Sequence, residues 1–148
     1  MERSLLLTII VLLLLIVFSF YGLYTNKFYL FKFDNYIFPF LTIIHFTYLY
    51  AMSFKIKENE IADPQMRNLE FALYIIFFIY IYRLFDTIFI LLTYNDFESH
   101  VIPATFIPIG ILIVSLYLML LLLTLISFKY RIVLVGPYRF DDINDHID

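Results

Sequence analysis

Cysteine and tryptophan are absent from these 148 residues, and glycine occurs three times. Without cysteine there is no disulfide framework, no thiolate metal site and no cysteine nucleophile. Three scattered glycines cannot build a phosphate-cradling loop, and no G-x-x-x-x-G-K, G-x-S-x-G or H-E-x-x-H motif is present. Nor is there a G-x-x-x-G pair of the kind that brings two spanning helices together. Charge is also scarce: 16% of residues are charged, the net charge is -3, and the ten basic residues form no block. That pattern argues against direct nucleic-acid binding. The histidines and carboxylates are scattered over several distant segments, so a catalytic constellation is hard to assemble, and the chain reads as non-enzymatic with no cofactor called for.

What is abundant is apolar surface. Hydrophobic residues make up 63% of the chain and aromatics 21%, against roughly half apolar for a soluble domain. The expected fold class is all-α: a polytopic membrane protein with four spans in an up-down bundle, forming one domain over residues 1–128. The predicted spans cover residues 4–24, 36–54, 70–94 and 101–128, and residues 129–148 form a short tail. The first run, from Ser4 to Tyr21, has the length of a spanning helix of about 20 residues. It is followed by no small-residue cleavage site, so it reads as an uncleaved span.

The loop Gly22–Tyr36 mixes aromatics with Lys27 and Lys32, a composition suited to the membrane interface. In the second span Thr42, His45 and Tyr48 recur at i, i+3, i+6 on one helical face. An intramembrane histidine suggests a haem ligand, a proton relay or a quinone pocket. A bis-histidine haem needs a second histidine at that depth, and His100 and His146 lie outside the apolar runs. A packing or relay histidine is the plainer reading.

The third span carries the costliest residues. Arg83 and Asp86 sit near its middle, three apart, so they can pair on one helix face. Each charge costs about 2.5–3.5 kcal/mol near a span centre. Tyr80 and Thr87 share their face, and His45, Thr42 and Ser115 are expected at comparable depth, which would make a buried polar cluster. Asp63-Pro64 is a helix start, with Asp as cap and Pro in the first turn. The first turns after it, with Arg67 and Glu70, are expected to project into the headgroups or beyond. In the fourth span Pro103 suits the first turn, while Pro108 lies deeper and predicts a kink.

The tail opens with Lys129 and Arg131. Its IVLV run is strand-like, Gly136-Pro137 is a turn, and the acidic DDINDHID reads as a flexible terminus. Leaving out Arg83, one side would hold Arg3, Lys55, Lys57, Arg67, Lys129, Arg131 and Arg139, and the other Lys27 and Lys32. Seven against two places both termini on the cytoplasmic side, or the matrix side of an organelle. Lys55, Lys57, Arg67, Arg131 and Arg139 are then the possible docking residues for soluble partners.

The leading expectation is a non-enzymatic subunit assembling with other membrane or soluble proteins in the bilayer, with the Arg83–Asp86 pair fixing helix or subunit packing. The alternative is a homo-oligomeric channel, or a membrane sensor or effector such as a stress or antiviral protein, whose polar face lines a path. A weaker alternative is a cofactor or quinone subunit using His45.

Overall fold

The computed structural model describes residues 2–61, 63–96 and 102–136. Among them are four α-helices: α1 (Glu2–Phe18), α2 (Ile37–Lys57), α3 (Pro64–Leu92) and α4 (Phe106–Tyr130). A two-stranded antiparallel hairpin, β1 (Tyr21–Gly22) and β2 (Lys27–Phe28), joins α1 to α2 and pairs Tyr21 with Phe28. Single helical turns extend the long helices: 3-10 turns at Phe33–Tyr36 and Thr93–Asp96, and a π turn at Arg131–Val135. The stretches Phe33–Lys57, Pro64–Asp96 and Phe106–Val135 are long and apolar enough to cross a membrane.

α1 is shorter than its apolar run suggests. It has 17 residues, about 25 Å at 1.5 Å per residue, against a hydrocarbon core of roughly 30 Å. The predicted span to residue 24 is therefore corrected. Ser19 turns its hydroxyl back onto the Ile16 carbonyl at 2.5 Å, and the chain leaves the helix for the hairpin. Asn26 closes that hairpin with φ 53, a left-handed conformation asparagine tolerates well. Gly22 is needed there because a Cβ would lie 2.6 Å from the Tyr29 ring. The hairpin is tied across the molecule by Tyr24 to Thr93 at 2.7 Å and by Tyr21 to Thr105 at 3.3 Å.

α1 packs on α2 and α4, and α3 packs on α2 and α4. The partners run antiparallel. Glu70, early in α3, meets Arg131 just past α4, while Gly110, early in α4, lies against Leu91 at the end of α3. That second approach is close: a Cβ on Gly110 would come within 2.2 Å of Leu91 Cδ2. On α3 the buried residues are Met66, Glu70, Leu73, Ile76, Tyr80, Leu84 and Thr87, a stripe with steps of three and four. The opposite face exposes Phe71, Ile75, Phe78, Phe85 and Phe89. Contiguous apolar surface on this scale needs a non-aqueous neighbour, and three of these stretches are long and apolar enough for that neighbour to be a membrane.

Three further expectations change. α4 starts at Phe106, so Pro108 falls in its first turn, where N–H groups have no intrahelical acceptor. The physical basis for a kink there disappears. Ser115 is exposed and bonds the Ile111 carbonyl of its own helix at 2.9 Å, so it faces away from the core. The IVLV run is a π turn: its β-branched preference is overridden by bonds that Arg131 makes to Glu70 and to the Gly136 carbonyl.

Candidate functional site

Three groups of polar residues lie along α3, and they are handled differently. At its first turns, Asp63 caps the helix by accepting from the Met66 amide at 2.8 Å, with Pro64 in the first helical position. Lys55 from α2 reaches the same carboxylate at 3.1 Å and Glu60 at 3.7 Å. Partial burial works to raise the Asp63 carboxyl, but the Met66 amide and the Lys55 ammonium outweigh it. The pKa falls below the ordinary value.

Two turns on lies the strongest ion pair described. Glu70 has no exposed surface, and both its oxygens are taken by the Arg131 guanidinium, Nε to Oε2 at 2.7 Å and NH2 to Oε1 at 2.9 Å. Tyr48 donates to Oε2 at 3.4 Å and Tyr74 donates to Oε1. Arg131 also donates to the Gly136 carbonyl at 3.1 Å. This is a bidentate, multiply bonded clamp between the start of α3 and the end of α4. It makes Glu70 a buried partner of Arg131, and it removes Arg131 from the exposed residues available for docking. Lys55, buried between two carboxylates, is removed as well. Lys57 is exposed, Arg67 is half-buried over the Phe71 ring at 5.7 Å, and Arg139 lies outside the described residues. His100 and His146 lie outside them too.

The sequence carried a sign of the clamp. Glu70, Leu73, Tyr80 and Thr87 recur at helical spacing, so a face assigned inward from Tyr80 and Thr87 already contained Glu70. The expectation that the first turns of α3 project beyond the hydrocarbon core rests on helix length, which says nothing of the direction Glu70 faces.

At mid-helix, His45 Nδ1 and the Tyr80 hydroxyl are 2.8 Å apart, and both residues have no exposed surface. Their rings are stacked at 5.8 Å between centroids. Thr42 and Tyr48 are buried on the same face of α2. The Thr42 hydroxyl is spent on the Pro39 carbonyl at 2.6 Å, and His45 Nε2 meets no partner among the described residues. The polar core is therefore a His45–Tyr80 contact beside the Tyr48–Glu70–Arg131 clamp. Ser115 does not belong to it.

Arg83 and Asp86 follow one and two turns later. Among the described residues they form no ion pair with each other or with a third group. Both are half-buried and line a cleft of about 220 Å3. The walls come from α3, α4 and the end of α1, and the residues of the hairpin's first strand and turn complete it. Tyr117, Thr87, Ser19 and Asn35 add polar atoms to the lining. The pair predicted to hold helices in register is thus an open pair of charges against a cavity. An intrahelical bridge was available at i, i+3 spacing, and the side chains face the cleft instead.

The volume is below the roughly 300–1,000 Å3 of pockets for drug-sized ligands, so the cleft suits a small polar group. No cluster of three or more metal-ligating side chains occurs among the described residues. No family model, curated protein or solved structure matches the chain.

Proposed function

We propose that this is a non-enzymatic, multi-pass membrane protein that works by what it binds, and that the Arg83–Asp86 cleft is its binding site. In this reading the four helices form an up-down bundle in the bilayer with both termini on the cytoplasmic or matrix side. α1 is the short fourth span, and the hairpin lies on the far side over the cleft. The basic-residue asymmetry supports that orientation.

One observation carries the proposal. Two charges that are costly at this depth find no ion partner among the described residues, while the Glu70–Arg131 clamp supplies internal bracing between α3 and α4. The counter-charges then come from outside, from a partner subunit or a bound molecule. Apolar outer faces on all four helices, aromatic on α2 and α3, supply surface for assembly with other spanning helices.

The test is purification of tagged protein from its native membrane in mild detergent, with the intact complex weighed. Wild type is compared with the Arg83→Gln, Asp86→Asn double variant. Loss of a companion molecule from the variant, with the helices intact by circular dichroism, is the expected result. An unchanged mass and composition would remove the reading.

A conduction path is a second reading, favoured by the row of buried groups from the cleft inward: Tyr117, Tyr80, His45, Tyr48 and Glu70. It expects proton flux in liposomes that Tyr80→Phe slows.

A further inference from the structure

The geometry points to a zwitterionic occupant of the cleft: a molecule that carries a phosphate or carboxylate and a primary ammonium a short linker apart. This rests on the reading of Arg83 and Asp86 as a binding pair and names the chemistry they would take.

The pair offers one cation and one anion, fixed on a rigid helix, with Cβ atoms about 5–6 Å apart at i, i+3 spacing. An anion alone would meet Asp86 at close range, and a cation alone would meet Arg83. In a half-buried cleft such like-charge contacts are weakly screened. A ligand with both charges satisfies each residue at once, so each ionic group it takes out of water meets an opposite charge in the cleft. Arg83 brings a planar fork suited to two oxygens of a phosphate or carboxylate. Asp86 accepts N–H bonds, which a primary ammonium supplies and a quaternary one does not. The Thr87 hydroxyl is spent on the Arg83 carbonyl at 3.0 Å, and the Asn35 amide donates to the Tyr29 carbonyl at 3.0 Å, which leaves its side-chain oxygen as an acceptor beside the pair.

Size and position agree with this class. The cavity of about 220 Å3 holds a headgroup or an amino-acid-sized solute and not an acyl chain. Asp86 is six residues before the end of α3 at Leu92, about 9 Å along the axis. That depth lies within reach of a lipid headgroup from the leaflet and of a solute entering from water. An ethanolamine phospholipid and a free phosphoethanolamine both present phosphate oxygens and a primary ammonium a two-carbon linker apart, the free monoester with the larger negative charge.

Native mass spectrometry of the protein released from vesicles separates the possibilities. Vesicles contain equal parts of phosphatidylethanolamine, phosphatidylcholine and phosphatidylglycerol, with free phosphoethanolamine added in a parallel sample. Wild type is expected to retain phosphatidylethanolamine about tenfold over the other two, the effect of one charge-assisted hydrogen bond. Asp86→Asn, a near-isosteric change, is expected to abolish the preference over phosphatidylcholine, and Arg83→Gln to reduce retention of both. Displacement of the lipid by free phosphoethanolamine, or a rise in melting temperature with it that Asp86→Asn lacks, would assign the site to the soluble source. Equal retention of all three lipids by wild type and both variants, with no effect of phosphoethanolamine, would overturn the proposal. If a companion protein were still lost from the double variant, the binding reading would stand and the zwitterion class alone would fall.

Discussion

The two opposite-charge pairs that involve α3 illustrate opposite uses of the same chemistry. Glu70 and Arg131 come from different helices and are bonded through both carboxylate oxygens, and Glu70 has no exposed surface. Arg83 and Asp86 are neighbours on one helix, half-buried, and face a cavity rather than each other. They lie roughly 20 Å further along the helix. Partners brought from distant parts of a chain are fixed by everything packed around them, so such a pair works as a brace. Neighbours on a helix stay close whatever the fold does, and their charges remain available.

The largest effect separating the two regions is expected at the clamp. Glu70→Ala removes both carboxylate oxygens that the Arg131 guanidinium bonds, and breaking a buried pair costs about 3–5 kcal/mol. Replacing both partners, with Glu70→Leu and Arg131→Met, is expected to recover most of that loss. A denaturing-detergent titration followed by circular dichroism measures both. If Arg83→Ala costs as much as Glu70→Ala, the contrast between brace and open pair is wrong.

The cap at the start of α3 comes next. Asp63→Ala removes the acceptor of the Met66 amide and the Lys55 partner, with an expected cost of about 0.5–2 kcal/mol. Its pH dependence has a definite sign. The folded pKa is depressed below the ordinary carboxyl value of 3.8, so the contribution is fully present above that value. It is lost as the pH falls through the folded pKa. Hydrogen exchange at the Met66 amide, corrected for intrinsic rate, should accelerate in the wild type below about pH 4. Asp63→Asn should flatten that acceleration, and a wild-type profile with no change there would count against the cap.

A smaller term belongs to the core. A double-mutant cycle with His45→Ala and Tyr80→Phe is expected to give a coupling of about 0.6 kcal/mol, the average for hydrogen bonds between spanning helices, with about 1.7 as the upper end. A coupling near zero would mean the contact carries no stability and would shift attention to proton movement.

The smallest stability effect is expected at the cleft, where it makes the comparison sharpest. Arg83→Gln with Asp86→Asn should change stability by less than about 1 kcal/mol while removing the bound companion. A large stability loss without loss of a companion would make this pair a second brace.

Much of the architecture was legible before any coordinates. Asp63-Pro64 marked the start of α3 because capping is local chemistry. Of the four apolar runs read as spans, three correspond to stretches long and apolar enough to cross a bilayer, because burial in lipid demands length. The face shared by Thr42, His45 and Tyr48 followed from helical spacing, and all three are buried. The errors fall where a local rule met a distant partner. Ser19 and the hairpin ended α1 early despite an apolar continuation. Pro108 was placed by an assumed span start some five residues too early, and Ser115 by an assumed rotation of α4.

The sequence by itself determined which stretches are long and apolar enough to cross a membrane and which residues share a helix face. Composition and run length decide whether a segment prefers lipid, and three- and four-residue spacing decides which residues share a face. Tertiary structure alone decided which charges are partners. A helix face narrows the set of candidates, but the ion pair depends on which side chains from elsewhere arrive at the same place. Arg131 arrives at Glu70 from a position 61 residues away. At Arg83 and Asp86 the packing of α1, α3 and α4 with the hairpin leaves a cavity.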